Sequence, residues 1–369
     1  MDRTGADVVA AAYEEGRRDD ASDDRPIWPS PDTSENVAFA NDLDTYSRDR
    51  GGRCNHGSMP TSTGLVDVHA HFVTDEYVRA AQSAGHLAPD GMPGWPQWNL
   101  NEQLSAMDRR DIRRAILSIS SPGMDLGDIA TARAIAEHVN DEAAKTVRDH
   151  PDRFGFFASL PLPDVDAAVA ELRRAVDTLG ASGVILDSNI DGHYLGDRIF
   201  EPVWAELDSR RTVLFVHPTS PVGWERTALG RPRPMLEFMF DSTRSITDLV
   251  LAGVAHRYPD MRILVPHSGA ALAFFSDRIE LFRQGGSGPP WRDAMRALWF
   301  DTAGTPFPIQ LPVLADVAGT AHIVYGSDSC WTPAAGVDAQ LASIDAAPPP
   351  PGATSWRELT TRNADTLLA

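Results

Sequence analysis

Two histidines one residue apart, His69 and His71 in VDVHAHF, close an apolar segment that begins at Leu65. In a strand, residues two apart project to the same face. Both imidazoles would then point one way and could hold a metal; a pair of half-buried histidines bonded to their neighbours is the alternative that so short a motif leaves open. Further along, other polar residues end apolar runs in the same manner: Asp187, His217, His267, Asp301 and Asp328. Nitrogen and carboxylate donors of this kind suit Zn²⁺, and also Mn²⁺ or Fe²⁺. His69, His71, His217 and Asp328 make a four-ligand set. Cys54 and Cys330 are the only cysteines, and a structural zinc is more often closed by thiolates, so the pattern is that of a catalytic metal. His267 serves either as a fifth ligand or as a base beside the metal.

These residues meet only if the strand ends converge. Short apolar runs at 65–68, 115–119, 154–160, 183–186, 212–216, 262–265, 298–300 and 323–325 alternate with amphipathic stretches at 129–148, 167–179 and 246–257. Asp128 and Asp164 are placed to cap helices, and His150-Pro151 and Tyr258-Pro259 to stop them. Eight strands close a (β/α)8 TIM barrel, whose loops gather functional groups at the C-terminal ends of its strands. An open doubly wound sheet is the competing arrangement, but no glycine-rich phosphate loop follows the first strand. The expected fold is α/β, a single catalytic barrel over residues 63–369. Residues 1–62 are polar and rich in Asp, Arg, Ser, Gly and Pro, and are expected to be a disordered N-terminal extension. Met59 stands just before the first strand as an alternative start of translation.

The formal net charge of −19 argues against a nucleic-acid groove, which needs a basic surface. No apolar run approaches the roughly 18 residues of a membrane span, and no basic-then-apolar leader opens the chain, so the expected location is cytoplasmic, with no membrane partner.

In this order, VDVHAHF, VLFVHP, ILVPHSGA and VYGSD resemble the amidohydrolase superfamily, in its branch with aminocarboxymuconate semialdehyde decarboxylase and the metal-dependent aromatic-acid decarboxylases. The longer stretches at 149–164, 194–207 and 240–253 resemble 6-methylsalicylate decarboxylases. The resemblance implies that His69, His71, His217 and Asp328 bind the metal, Zn²⁺ or alternatively Mn²⁺, and that His267 is catalytic with Asp328 as proton donor. It also implies a homodimer or larger assembly, in which Arg278 contacts a substrate carboxylate, in some members across a subunit interface. The activity implied is nonoxidative decarboxylation of a small hydroxybenzoate-like acid with release of CO₂. Hydrolysis of a lactone or amide by metal-activated water uses the same residues and stays open.

Two departures bear on the substrate: SCW follows Asp328 where relatives often have Phe-Pro, and VPHSGAAL replaces a commoner pattern around His267. Trp95 and Trp98 are candidates to stack on an aromatic ring, with loop packing as the alternative. Arg244 either meets a substrate carboxylate or pairs with Asp241 or Asp248. Arg278 has a surface pair with Asp277 or Glu280 as its alternative. Asp187 and Asp301 are candidates to orient ligands, and His193 and Tyr194 are expected to pack.

Overall fold

In the computed structural model the apolar runs become seven parallel strands lying side by side in sequential order. They are β1 (Leu65–His71), β2 (Ile112–Ser118), β3 (Phe154–Ser159), β4 (Gly183–Asp187), β5 (Val213–His217), β6 (Arg262–Val265) and β7 (Trp299–Phe300). The structure describes residues 64–283 and 288–369; the extension expected over 1–62 lies outside them. The eighth run, 323–325, is not a strand. It is held by parallel bridges on both sides, Phe300 to Ile323 and Asp67 to Tyr325, and these close the sheet into a barrel. Just beyond this run, at Gly326, the chain comes close to two candidate site residues: a Cβ there would sit 2.7 Å from His69 Cβ and 3.0 Å from Asp301 Cβ, so only glycine lets the chain pass.

Outer helices follow the strands: α1 (Asp75–Ser83), α2 (Leu100–Arg109), α3 (Ile129–Asp149), α4 (Val165–Asp177), α5 (Glu201–Ser209), α6 (Glu237–Leu251), α7 (Leu272–Phe282), α8 (Trp291–Ala297), α9 (Leu311–Ala318), α10 (Ala334–Ala346) and α11 (Trp356–Leu367). The two anticipated caps are in place, since Asp128 accepts from Thr131 N at 2.9 Å and Asp164 from Ala167 N at 3.1 Å. The helix expected over 246–257 instead begins at Glu237 and ends at Leu251. Gly253 then adopts a φ of 76°, and a short helix, Val254–Arg257, follows. Strand alternation splits the apolar residues in two. Val66, Val68, Ile116, Phe157, Ile185, Val213, Phe215, Leu264, Trp299 and Val324 fill the barrel, joined by Ala364 and Leu367 of α11. The opposite faces pack against the helices.

Along β1 this alternation would aim the wrong residues. Val66 and Val68 face inward, so a regular strand would turn Ala70 inward and both His69 and His71 out. The β1–β2 register instead shifts between Asp67 and Ala70, a bulge that reverses the phase. Ala70 joins the outer layer and His69 packs on the interior Phe215 ring, centroids 4.9 Å apart.

Candidate active site

Four strand ends and the bridged eighth run now bring their polar residues to one mouth. On β5, regular alternation from Val213 and Phe215 carries His217 inward. His267 follows β6 through a turn with a φ of 54°, which redirects its side chain toward the same centre. One donor atom each from His69, His71, His217 and Asp328 lies within 4.8 Å of all the others, and the three imidazoles are buried.

Each imidazole is fixed from behind. His69 Nδ1 is 2.8 Å from Asp301 Oδ2, and His217 Nδ1 is 2.8 Å from the Pro218 carbonyl oxygen. His71 Nδ1 lies 3.0 Å from Ser118 Oγ and 3.3 Å from the Ser118 carbonyl oxygen. Carbonyl and carboxylate oxygens only accept, so Nδ1 of His69 and of His217 carries a proton. Nδ1 of His71 does too, facing the Ser118 carbonyl while the Ser118 hydroxyl donates to the Ala70 carbonyl at 3.4 Å, and in these tautomers every Nε2 presents a lone pair to the centre. His69 Nε2 and His71 Nε2 are 2.9 Å apart. Two lone pairs at that distance repel unless a proton or a cation lies between them, so the donor set fits a divalent cation. Asp328 divides its oxygens: Oδ1 is 3.5 and 3.3 Å from the Nε2 atoms of His69 and His71, while Oδ2 is 3.5 Å from His267 Nε2.

The electrostatics favour the ligand-ready forms of His217, His71 and Asp328, with His69 the exception. Burial, reinforced by His71 and His69, pushes the His217 pKa well below its ordinary value, and burial lowers that of His71. Burial also opposes a charge on His69, but Asp301 and Asp328 outweigh it and the pKa rises. Burial disfavours the Asp328 carboxylate, yet His69, His267 and His71 hold it well below the usual range.

The centre opens into a pocket of about 380 Å³, lined by His217, His267 and Asp328 at its floor and by Met92, Phe238, Met239 and Trp331 on its walls. A family model described as Amidohydrolase matches residues 66–367. The chain belongs to the amidohydrolase family. Decarboxylase yanB of Aspergillus niger is 33% identical over 302 residues, 76% of this chain and 81% of that protein. The 6-methylsalicylic acid decarboxylase of Penicillium expansum is 33% identical over 276 residues, 71% of this chain and 84% of that one. Among solved structures, 2,6-dihydroxybenzoate decarboxylase complexed with 2,6-dihydroxybenzoate superimposes with a TM-score of 0.71 at 25% identity, covering 83% of this chain and 99% of that chain.

This amidohydrolase does not gather every anticipated residue. Asp301 does support the ligands: besides His69, its Oδ1 accepts from the backbone N–H groups of His267 and Ala303, both at 2.9 Å. Asp187 instead lines a separate cavity of about 520 Å³, where burial, with Asp90, Asp241 and Asp125 adding, drives its pKa well above the ordinary value. Trp95 and Trp98 do not line the metal pocket. Trp95 donates to the His86 carbonyl at 2.8 Å and packs on Trp331, centroids 5.8 Å apart, while Trp98 packs on Phe72. Trp331, part of the divergent SCW, takes the wall position itself. Arg244 is half-exposed, 3.9 Å from Asp241, outside the pocket. Arg278 is exposed on α7 over the Phe282 ring; its expected partners are engaged elsewhere, Asp277 with Arg292 and Glu280 with Arg283. His193 bonds Asp197 at the surface, whereas Tyr194 reaches Asp241. Met92, Phe238 and Met239 escaped the sequence reading because they sit in loops and a helix first turn, where no periodic pattern marks a lining residue.

Proposed function

We propose that this chain is a metal-dependent nonoxidative decarboxylase of a small hydroxybenzoate-like acid such as 6-methylsalicylate, releasing CO₂. The observation that carries this reading is the convergence of three tautomer-fixed imidazoles and Asp328 at the floor of a pocket walled by methionine and aromatic side chains. The names of the two fungal relatives support the same chemistry. His69, His71, His217 and Asp328 would hold the cation, Zn²⁺ or alternatively Mn²⁺. When bound, it would polarise the phenolic and carboxylate oxygens as a Lewis acid. His267 and Asp328 carry the proton, since His267 Nε2 and Asp328 Oδ2 face each other at 3.5 Å. From this pair the proton passes to the ring carbon that bears the carboxylate; the bond to that carboxylate breaks, CO₂ leaves, and the bonding pair restores the ring. Met239 and Phe238 hold the ring and exclude water. Purified protein supplied with hydroxybenzoates and lactones should release CO₂ without net hydrolysis. Ring-opening of a lactone without CO₂ would return the reading to a hydrolase.

The catalytic body is residues 63–369, acting in the cytoplasm; among the described residues no helix is long and apolar enough to cross a membrane. A homodimer or larger assembly is supported by α7, which leaves Phe274, Phe275, Leu281 and Phe282 exposed. Apolar side chains clustered this way are suited to a protein partner. Arg278 lies among them, has no ion pair among the described residues, and in such an assembly would reach a carboxylate in a neighbouring copy's pocket. Light scattering should then give a dimer or larger, and Arg278→Lys should raise KM more than it lowers kcat, because bidentate geometry is lost while charge stays. A monomer at assay concentration, or a Lys variant with parental kinetics, overturns this.

A further inference from the structure

The geometry points to Asp241 as a positioning residue for His217, acting from outside the barrel through Ser188. This inference rests on the reading of His217 as a metal ligand. Asp241 lies on α6 and is completely buried, as is Ser188. Its carboxylate collects three neutral donors: the hydroxyl of Ser188, Asn189 Nδ2 at 2.8 Å and the Tyr194 hydroxyl at 2.7 Å. All three come from the end of β4 and the small hairpin that follows it, Asn189–Ile190 paired with His193–Tyr194.

Ser188 passes this restraint to the end of β5 at two points. Its backbone N–H donates to the His217 carbonyl at 2.7 Å, and its Oγ, while donating to Asp241, accepts from Thr219 N at 3.1 Å. The two peptide groups that flank Pro218, the first of them carrying the His217 carbonyl, are thereby held by a residue anchored to one buried carboxylate. Phe238 is three residues before Asp241, a spacing that puts the two on neighbouring positions of one helix face. Its ring meets the His217 imidazole edge-on, with centroids 6.2 Å apart and an interplanar angle of 83°. Helix α6 therefore fixes His217 twice, Phe238 bearing on the ring and Asp241 on the backbone. Asp241 Oδ2 accepts from both Ser188 and Asn189 and Oδ1 from Tyr194; an amide can keep its oxygen on the first two donors, so only removal of the whole carboxylate releases Ser188.

The test compares Zn²⁺ affinity in full-length parent, Asp241→Ala, Ser188→Ala and Asp248→Ala proteins, each stripped of metal and titrated against a chromophoric chelator, with the metal-free melting temperature recorded alongside. Asp248 is the control. It also lies on α6 and also ties down the segment after the hairpin, accepting from Gly196 N at 2.7 Å, but among the described residues its side chain has no hydrogen-bonded route to His217. Loss of an outer support typically weakens metal binding by about 10–100-fold. Asp241→Ala should show a loss in that range and Ser188→Ala a smaller one, while Asp248→Ala stays within about twofold of the parent. Affinity unchanged in Asp241→Ala overturns the inference, as does an equal loss in Asp248→Ala. Should Asp241→Ala fail to fold, Ser188→Ala decides alone, and parental affinity there overturns it. A parent that binds no Zn²⁺ would instead count against the metal site itself.

Discussion

Replacing Asp301 with asparagine exchanges one oxygen for an amide nitrogen at the centre of the site, and the structure dictates which way that amide must face. Asp301 Oδ1 accepts two backbone N–H groups, from His267 and Ala303, and Oδ2 accepts one, from His69 Nδ1. If the amide nitrogen faced the two backbone donors, both would be left unsatisfied in a buried position, at about 1–3 kcal/mol each. The carbonyl therefore keeps the backbone donors and the nitrogen turns to His69. His69 Nδ1 must then become an acceptor, its proton moves to Nε2, and the lone pair that faced the centre is gone. Metal affinity should fall about 10–100-fold, or roughly 1.4–2.7 kcal/mol. The folded state loses less, because two of the three hydrogen bonds survive. Competition titration with Zn²⁺ and elemental analysis of purified protein measure the first effect, and thermal unfolding of the metal-free form measures the second. Parental affinity in Asp301→Asn would refute the tautomer argument, and with it the claim that Nε2 of His69 is the ligating atom.

His267→Ala should keep its metal, since His267 lies outside the four-atom ligand set, yet lose about 10²–10⁴-fold in kcat as expected for removal of a proton-transfer group; metal loss on this substitution would make it a ligand instead. In the metal-free protein His217 should withdraw stability as pH falls below 6.5: its folded-state pKa, like that of His71, lies below that ordinary value, so the unfolded chain takes up more protons at these positions across the window beneath it. His69, Asp187 and Asp67, the last raised to about 6, are shifted upward and act the other way. Melting temperatures recorded with chelator at pH 7.5 and 5.5 for the parent and His217→Gln isolate the His217 contribution: relative to the variant, the parent should lose stability at the lower pH, and a parent that gains on the variant there would contradict it.

The metal ligands were legible because each ends an apolar run, and apolar runs announce strands. Their orientation was not. The spacing of His69 and His71 puts them on one face, but the phase of that face depends on the β1 bulge, a register shift that leaves no mark in composition. The eighth run, 323–325, was expected as a strand, and the structure holds it by isolated bridges alone. Asp301 could be nominated from its place after β7. Arg278 and Arg244 could be named but not placed, because a helix pattern says which residues share a face and not what that face meets. Trp95 and Trp98 were plausible as ring-stacking residues by type alone. The wall went to Trp331, whose proximity to Asp328 in the chain was the better signal.

The floor of the barrel is made by the last turns of α11, where Ala364 and Leu367 close the inner core, and the first strand is bridged to residues 325 and 329. Translation runs at roughly 5–20 residues per second, so on the order of fifteen seconds to a minute separates the appearance of His69 and His71 from that of Asp328 and the closing helix. Throughout that interval β1 is an unpaired edge on its outer side, and its two imidazoles are a bidentate chelator without a cage. Metal acquisition is thus a late event in the life of the nascent chain, set by the ring closure of the sheet, and a ribosome that stalls between His217 and Asp328 leaves a polypeptide that carries all three histidines and yet has no finished site.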